Sequence, residues 1–261
     1  MQEDLSKYNE EGTLLRKAQL RMLDILLEVD KICKKHNIPY WLDWGTLLGA
    51  VRHGGFIPWD DDLDIALMRK DHKLLCRVLK KELPDNLAFQ DASTDECYCM
   101  KFAKVRDKNS FLVDTGTNLN LKYQGVFIDI FCYEKGSRKI KTIVDFFYGR
   151  AFRRLKHITK SRLEYIIGCL IWIPSVILVQ MARNCNFLVG KNNLILSYGI
   201  SSFTQHCKKD IFPLKSIVFE NHEFMAPANP DGYLKRAYGD YMQIPPEEKR
   251  SVHSNKIELY E

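Results

Sequence analysis

Three aspartates in a row, Asp60, Asp61 and Asp62, followed by Asp64, are the feature that most narrows what this chain can fold into. Like charges repel at close range, so a fold that gathers them must give them water or cations. The next residues narrow the choice. Leu63, Ile65 and Leu67 alternate with Asp64 and Ala66, the period of a strand with one face in a core. On such a strand Asp62 and Asp64 point to the same side. Two carboxylates on one edge of a rigid element suit a hard cation such as magnesium, which takes one or two carboxylates plus substrate phosphates. For the triplet alone, an acidic surface turn is the plainer reading.

Asp129 extends the pattern. It is the single charge within the apolar strand Val126 to Phe131. A lone buried carboxylate is costly, so this one needs a cation, either a metal or a buried Arg. If its strand lies beside the Asp62–Asp64 strand, three carboxylates converge on one or two ions. Such a site can clamp the attacking and leaving oxygens of a phosphoryl transfer. Upstream, Gly45 and Thr46 open a short helix whose first N–H groups suit a phosphate. Alternatively, Thr46 simply caps that helix. Arg52, Lys104 and Arg106 are the basic residues placed to neutralise donor phosphates, whereas His53 reads as structural.

Elsewhere the chain alternates helix and strand. Leu14 to Cys33 has helical apolar spacing and ends at Asn37-Ile38-Pro39; Tyr40 to Asp43 reads as a short strand. Asp71 to Leu83 reads as a helix, Met100, Phe102 and Lys104 as one face of a strand, Phe219 to Asn229 as a hairpin or turn segment and Asp231 to Tyr238 as a helix. Between Arg138 and Arg183 the composition changes. Arg150, Arg153, Arg154, Lys156, Lys160 and Arg162 are followed by Ile166 to Ala182, which carries no charge. That run spans about 26 Å as a helix, short of the roughly 30 Å hydrocarbon core, and Gly168 and Pro174 weaken it. Three readings stand open: a buried core helix, a transmembrane span, and an interfacial or re-entrant segment. The basic stretch favours the last, in peripheral contact with an anionic membrane. The chain therefore divides into a core over 1–137, a basic then apolar helical insertion over 138–185, and a C-terminal part of the same domain over 186–261.

The net charge of +6 is modest and calls for no nucleic-acid partner. Eight cysteines include no CxxC pair, which fits reduced thiols in the cytosol better than a zinc site or disulfide framework. Met1 to Gly12 is polar and acidic, without the basic start and apolar core of a secretory signal.

Trp44-Gly45-Thr46 followed by Asp62-Leu63-Asp64 is similar to the nucleotidyltransferase superfamily pattern of a small-residue helix start, Asp-x-Asp on a strand and a third acid. The longer run WGTLLGAVRHGGFIPWDDDLDIAL resembles the LicD family more specifically, and KFAKVRDK, GVFIDIF and YLKRAYGDYMQIPP follow in that family's order. The resemblance covers nearly the whole chain; fukutin-type proteins share the same core. Thr46 stands where many superfamily members have Ser or Gly, and the loop from Thr46 to Asp62 is longer than in many of them. The stretch from Arg138 to Arg183 matches no motif.

The resemblance implies an α+β fold, a small mixed β-sheet flanked by helices as in nucleotidyltransferases. It implies a magnesium-dependent phosphotransferase, with manganese as a substitute ion. A CDP-choline-like donor gives up phosphocholine, or a similar phospho-substituent, to a sugar hydroxyl of a cell-surface glycan of teichoic acid, lipopolysaccharide or capsule type. A lipid-linked acceptor would place the chain in the cytoplasm at the inner face of the membrane. Asp62, Asp64 and Asp129 would be both metal ligands and catalytic residues; Gly45, Thr46, Arg52, Lys104 and Arg106 would bind substrate phosphate. A trimethylammonium group would favour aromatic walls, for which Trp41, Trp44, Trp59, Tyr123 and Tyr133 are candidates. A metal-dependent glycosyltransferase using a sugar nucleotide is the rival enzyme. That class usually has a nucleotide-binding βαβ region ahead of its acidic pair, and here one helix and one short strand precede it. A non-catalytic membrane-associated scaffold is the third reading, against which all three acids are present.

Overall fold

The computed structural model describes residues 4–114, 120–156, 162–189, 192–202, 204–250, 252 and 254–260; Lys160, counted above in the basic stretch, lies outside them. The first helix, α1 (Leu14–Lys35), starts on Thr13, whose hydroxyl accepts the Arg16 N–H, and buries Met22, Ile25, Leu26, Val29 and Ile32 at helical spacing. It ends where Asn37 takes a positive φ of 52°. The strand expected over Tyr40 to Asp43 is shorter, β1 (Trp41–Leu42), because Asp43 leaves it to cap α2 (Trp44–His53), accepting the Trp44 N–H. Gly54, at φ 72°, closes α2 in the left-handed conformation that favours glycine.

A glycine-rich loop leads into β2 (Asp64–Met68), followed by α3 (Arg69–Glu82), β3 (Leu87–Gln90), β4 (Ala103–Asp107), β5 (Ser110–Asp114) and β6 (Phe127–Lys135). A helical hairpin, α4 (Arg138–Lys156) and α5 (Arg162–Val189), precedes β7 (Asn193–Leu196), β8 (Gln205–Cys207) and α6 (Lys208–Ile211). The hairpin β9 (Lys215–Phe219) and β10 (His222–Ala226), then α7 (Pro230–Tyr238) and β11 (Ser254–Leu259), complete the order.

Among the described residues one mixed sheet of seven strands runs β1-β2-β6-β4-β3, with β7 pairing the far end of β6 and β8 pairing β7. Only β2 and β6 are parallel; the other pairs are antiparallel. α1 packs on β4 and β6, and α3 on β2 and β6. The expected α+β architecture, a mixed sheet flanked by helices, is the one observed. β2 and β6 are buried on both faces, as parallel strands under helices require. The strands after the α4–α5 hairpin join the same sheet as those before it.

Three local expectations change. Asp62 lies in the extended segment just before β2, not on the strand itself. Lys104 and Arg106 sit within β4, which begins at Ala103 and excludes Met100 and Phe102. Pro174 does not end α5, which runs through it.

Gly49, on α2, is where the helix meets the glycine loop. A Cβ there would collide with the Gly55 carbonyl oxygen and lie 3.1 Å from the Ile57 nitrogen, both backbone atoms that cannot swing aside. Gly49→Ala should therefore destabilise the protein by about 1–3 kcal/mol despite the better helix propensity of alanine. A denaturant midpoint equal to or above wild type would show that the loop can move away.

Candidate functional site

The parallel register of β2 and β6 sets Asp64 directly opposite Asp129. Neighbouring strands are about 4.8 Å apart, so the two carboxylates share one patch of sheet. Both are buried. Burial pushes the Asp64 carboxyl well above the usual carboxylate range, and Asp62, Asp129, Asp43 and Asp60 push it further. Five acids therefore act on one another here. Asp129 is pushed up to about 6 by burial, against the pull of Lys104. The Lys104 ammonium donates to Asp129 Oδ1 at 2.6 Å and lies 3.2 Å from the centre of the Phe127 ring. The basic side chain beside Asp129 is thus a lysine of the next strand, where an arginine was the sequence expectation.

The loop carrying the acids is fastened from several sides. Gln19 of α1 donates to the Asp60 carbonyl at 2.9 Å. Glu220, at the β9–β10 turn, accepts the Phe56 N–H at 3.1 Å and pairs with Arg16 through both oxygens at 2.6 and 3.1 Å. Asp61 Oδ2 accepts the Ser254 N–H at 2.5 Å. The loop thereby lays its acids on the start of α2. A Cβ on Gly45 would come within 2.8 Å of Asp60 Oδ2, so any larger residue there would push the Asp60 side chain aside. The partial positive charge of a helix N-terminus favours carboxylates in that place.

The remaining expected residues divide by where they reach. Gly45 and Thr46 join the acid group, but Thr46 is buried and its hydroxyl accepts the Asp64 N–H at 2.7 Å, which locks α2 to β2. Arg52 turns toward the C-terminal segment, donating to the Tyr241 carbonyl at 2.8 Å. His53 beside it is held down to about 4 by burial and by Arg52, so it is neutral. Arg106 is buried and donates to Gln90 at 2.5 Å and the Gly125 carbonyl at 2.7 Å, a strut beneath the site. Of the candidate aromatics, Trp41, Trp59 and Tyr133 are core residues, whereas Trp44 and Tyr123 are half-buried.

Sequence reasoning missed four residues. Asp43 is fully buried, and burial pushes its carboxyl up to about 7. Its Oδ1 accepts the Tyr233 hydroxyl, and the Tyr133 hydroxyl lies 2.8 Å from that of Tyr233. Its Oδ2 is buried with no hydrogen-bond partner among the described residues. His206 stacks flat on Tyr233 at 3.7 Å and is held down to about 4, chiefly by burial. Tyr238 packs edge-on to Trp44 at 6.1 Å, and its hydroxyl feels Asp64, Asp43, Asp60 and Asp62. Only Asp43 had a sequence signal, an acid between aromatics just before the glycine; the α7 tyrosines come from far along the chain.

The donor set fits a hard divalent cation. Its atoms are carboxylate oxygens, they crowd one buried patch, and one buried oxygen of Asp43 is orphaned beside them. Among the described residues, however, no three acidic, histidine or cysteine side chains already form a closed metal cluster. Asp129 faces Lys104 instead.

Residues 37–166, which contain Asp62, Asp64, Lys104 and Asp129, match the family model described as LicD/FKTN/FKRP, nucleotidyltransferase domain. The chain is 28% identical to the lipopolysaccharide cholinephosphotransferase LicD of Haemophilus influenzae over 260 aligned residues, covering 92% of this chain and 95% of that protein. It is 33% identical to the ribitol-5-phosphate transferase FKTN of Mus musculus over 117 residues, which is 43% of this chain and 21% of that one. A shorter stretch of 35 residues is 53% identical to the human ribitol 5-phosphate transferase FKRP, 13% of this chain and 7% of that protein.

The buried pair makes a stability prediction. Lys104→Met strips the ammonium from a carboxylate already crowded by other acids and should cost about 3–5 kcal/mol. Asp129→Asn should cost less, because it also removes one repelling charge from beside Asp64 and Asp62. Chemical denaturation at neutral pH with a chelator present measures both. A larger loss for Asp129→Asn than for Lys104→Met would mean that repulsion among the acids contributes nothing.

Proposed function

Because the chain belongs to the LicD/FKTN/FKRP family of nucleotidyltransferase-domain proteins, we propose that it is a phosphotransferase that moves phosphocholine from a CDP-linked donor to a sugar hydroxyl of a cell-surface glycan. The relatives named above are transferases of choline phosphate or ribitol phosphate, which supports transfer of a phospho-substituent over transfer of a sugar. The observation that carries the reading is Asp64 in register with Asp129, with Asp62 and Lys104 beside them, inside the region that matches the family. Lipopolysaccharide, teichoic acid and capsule all offer the acceptor hydroxyl; lipopolysaccharide is favoured by the Haemophilus relative.

Asp62 and Asp64 are the residues that would hold magnesium, or manganese in its place, which when bound neutralises the donor phosphates. The chain's own groups do the rest. Asp129, with its carboxyl raised to about 6, is suited to take the proton from the acceptor hydroxyl. Lys104 holds that carboxylate in place and adds a positive charge beside the reacting phosphoryl group. Thr46, by holding the Asp64 N–H, keeps the ligand strand fixed to α2. The reaction is an in-line displacement at phosphorus, with positioning and charge neutralisation supplying most of the rate.

Trp44 and Tyr238 favour choline over ribitol as the head group. They meet edge to face at the rim of a strongly acidic patch, a surroundings suited to a quaternary ammonium.

Incubation with CDP-choline, magnesium and glycan, followed by phosphorus NMR, should show CMP and a new phosphodiester. Release of a nucleoside diphosphate from a sugar nucleotide, with no reaction of CDP-choline, would replace this reading with the glycosyltransferase one. Asp64→Asn should lower turnover by roughly 10²-fold or more. It should leave the melting temperature equal or raised, since it removes one of several repelling charges. Activity within a few-fold of wild type would remove Asp64 from the site.

A further inference from the structure

The α4–α5 hairpin plays no part in the chemistry proposed above, yet it is built and docked with care. Its inner side is a small core of Val144, Val179, Ala182, Ile195 and Tyr198. Lys141 is buried, pairs with Asp145 and donates to the Ile200 carbonyl at 2.8 Å. Arg183 on α5 grips Glu134 of β6 through two bonds, at 2.7 and 3.1 Å. Tyr148 and Trp172 stack at 5.4 Å and tie the two helices together. The hairpin is therefore held in one orientation on the sheet.

Its outer side is the reverse of a soluble surface. Phe146 and Phe147 on α4, and Leu170, Ile173, Ile177 and Met181 on α5, are each more than half exposed. The 20-residue window Ile166–Cys185 has a mean hydropathy of 1.8, and only 22% of it is buried in the protein. This excludes the core-helix reading of the segment. Single exposed apolar residues are ordinary, but a continuous stripe on two neighbouring helices marks a binding surface. Charge identifies the occupant. Between Arg138 and Arg162, once the buried Lys141–Asp145 pair is set aside, eight residues are Arg or Lys and none is acidic. Two copies of a face flanked by so much like charge would repel, whereas an anionic lipid surface is complementary to it.

We propose that the outer face of the α4–α5 hairpin docks the protein flat on an anionic bilayer, with its apolar stripe at the headgroup–acyl boundary and its basic residues among the headgroups. A span is the poorer fit. By length and composition the window could cross a bilayer, but β6 and β7 pair in one sheet, so a crossing by α5 would carry the basic α4 across with it. An apolar helix face adjoined in sequence by a basic stretch is the pattern of helices that lie in the interface. The inference does not rest on the transferase reading, and its test measures no catalysis.

The experiment is co-sedimentation of the full chain with vesicles of phosphatidylcholine alone and of phosphatidylcholine with phosphatidylglycerol, at low and high salt, together with ultracentrifugation in the absence of lipid. The chain should bind the anionic vesicles and release them as salt rises. Leu170→Glu with Ile173→Glu should weaken binding by about tenfold or more and leave the melting temperature unchanged, both positions being exposed. Arg153→Glu with Arg154→Glu should weaken it at low salt and matter less at high salt. Three results would each overturn the proposal: no vesicle binding at low salt, equal binding to neutral vesicles, or binding indifferent to Leu170→Glu with Ile173→Glu. A dimer that this same pair breaks, without vesicle binding, would assign the face to a second copy instead.

Discussion

Placing Asp64 beside Asp129 on adjacent parallel strands is the constraint around which the rest of the molecule is arranged. Buried like charges raise each other's pKa and oppose folding, so their proximity must be offset by the surroundings. The fold does this in two ways. Lys104, on the strand that flanks β6 from the other side, delivers an ammonium to Asp129. The N-terminus of α2, kept narrow by Gly45, takes the carboxylates of Asp60 and Asp62. Even so, burial holds the Asp64 and Asp129 carboxyls above the usual carboxylate range.

The second support comes from the far end of the chain. Tyr233 on α7 reaches Asp43, 190 residues earlier, and Tyr133 and His206 complete a buried group around it. Asp43 in turn caps α2, and its N–H is bonded to the Asp64 carbonyl at 3.0 Å. Helix α7 thus steadies the helix start on which the acids rest, although it lies outside the region 37–166 that matches the family. Through Tyr238 the same helix also supplies a wall of the acidic patch.

The α4–α5 hairpin shows how one sheet can serve two surfaces. It leaves the sheet at the end of β6, the strand that carries Asp129, and the chain returns to pair with that same strand as β7. Glu134, five residues beyond Asp129, anchors Arg183 of α5. The strand that carries Asp129 and a helical arm with an apolar outer face are therefore joined through Glu134.

The sequence by itself determined the local pieces. Apolar alternation marked the strand that holds Asp64, although that strand is buried on both faces and not one; a lone acid in an apolar run marked Asp129, and local signals marked α1, α3 and α7 to within a few residues. These signals are legible because they depend on residues two to four positions apart. Tertiary structure alone decided which strands are neighbours and which partner each charge takes. Nothing near Asp129 in the chain reveals that Lys104 faces it, that Arg106 turns inward to Gln90, or that Tyr233 closes on Asp43. Nor does composition tell a charge-free helix packed in a core from one whose stripe stands open. The physical reason is the same in each case: burial and pairing are properties of surfaces brought together across the fold, and the local pattern specifies only the face each element presents.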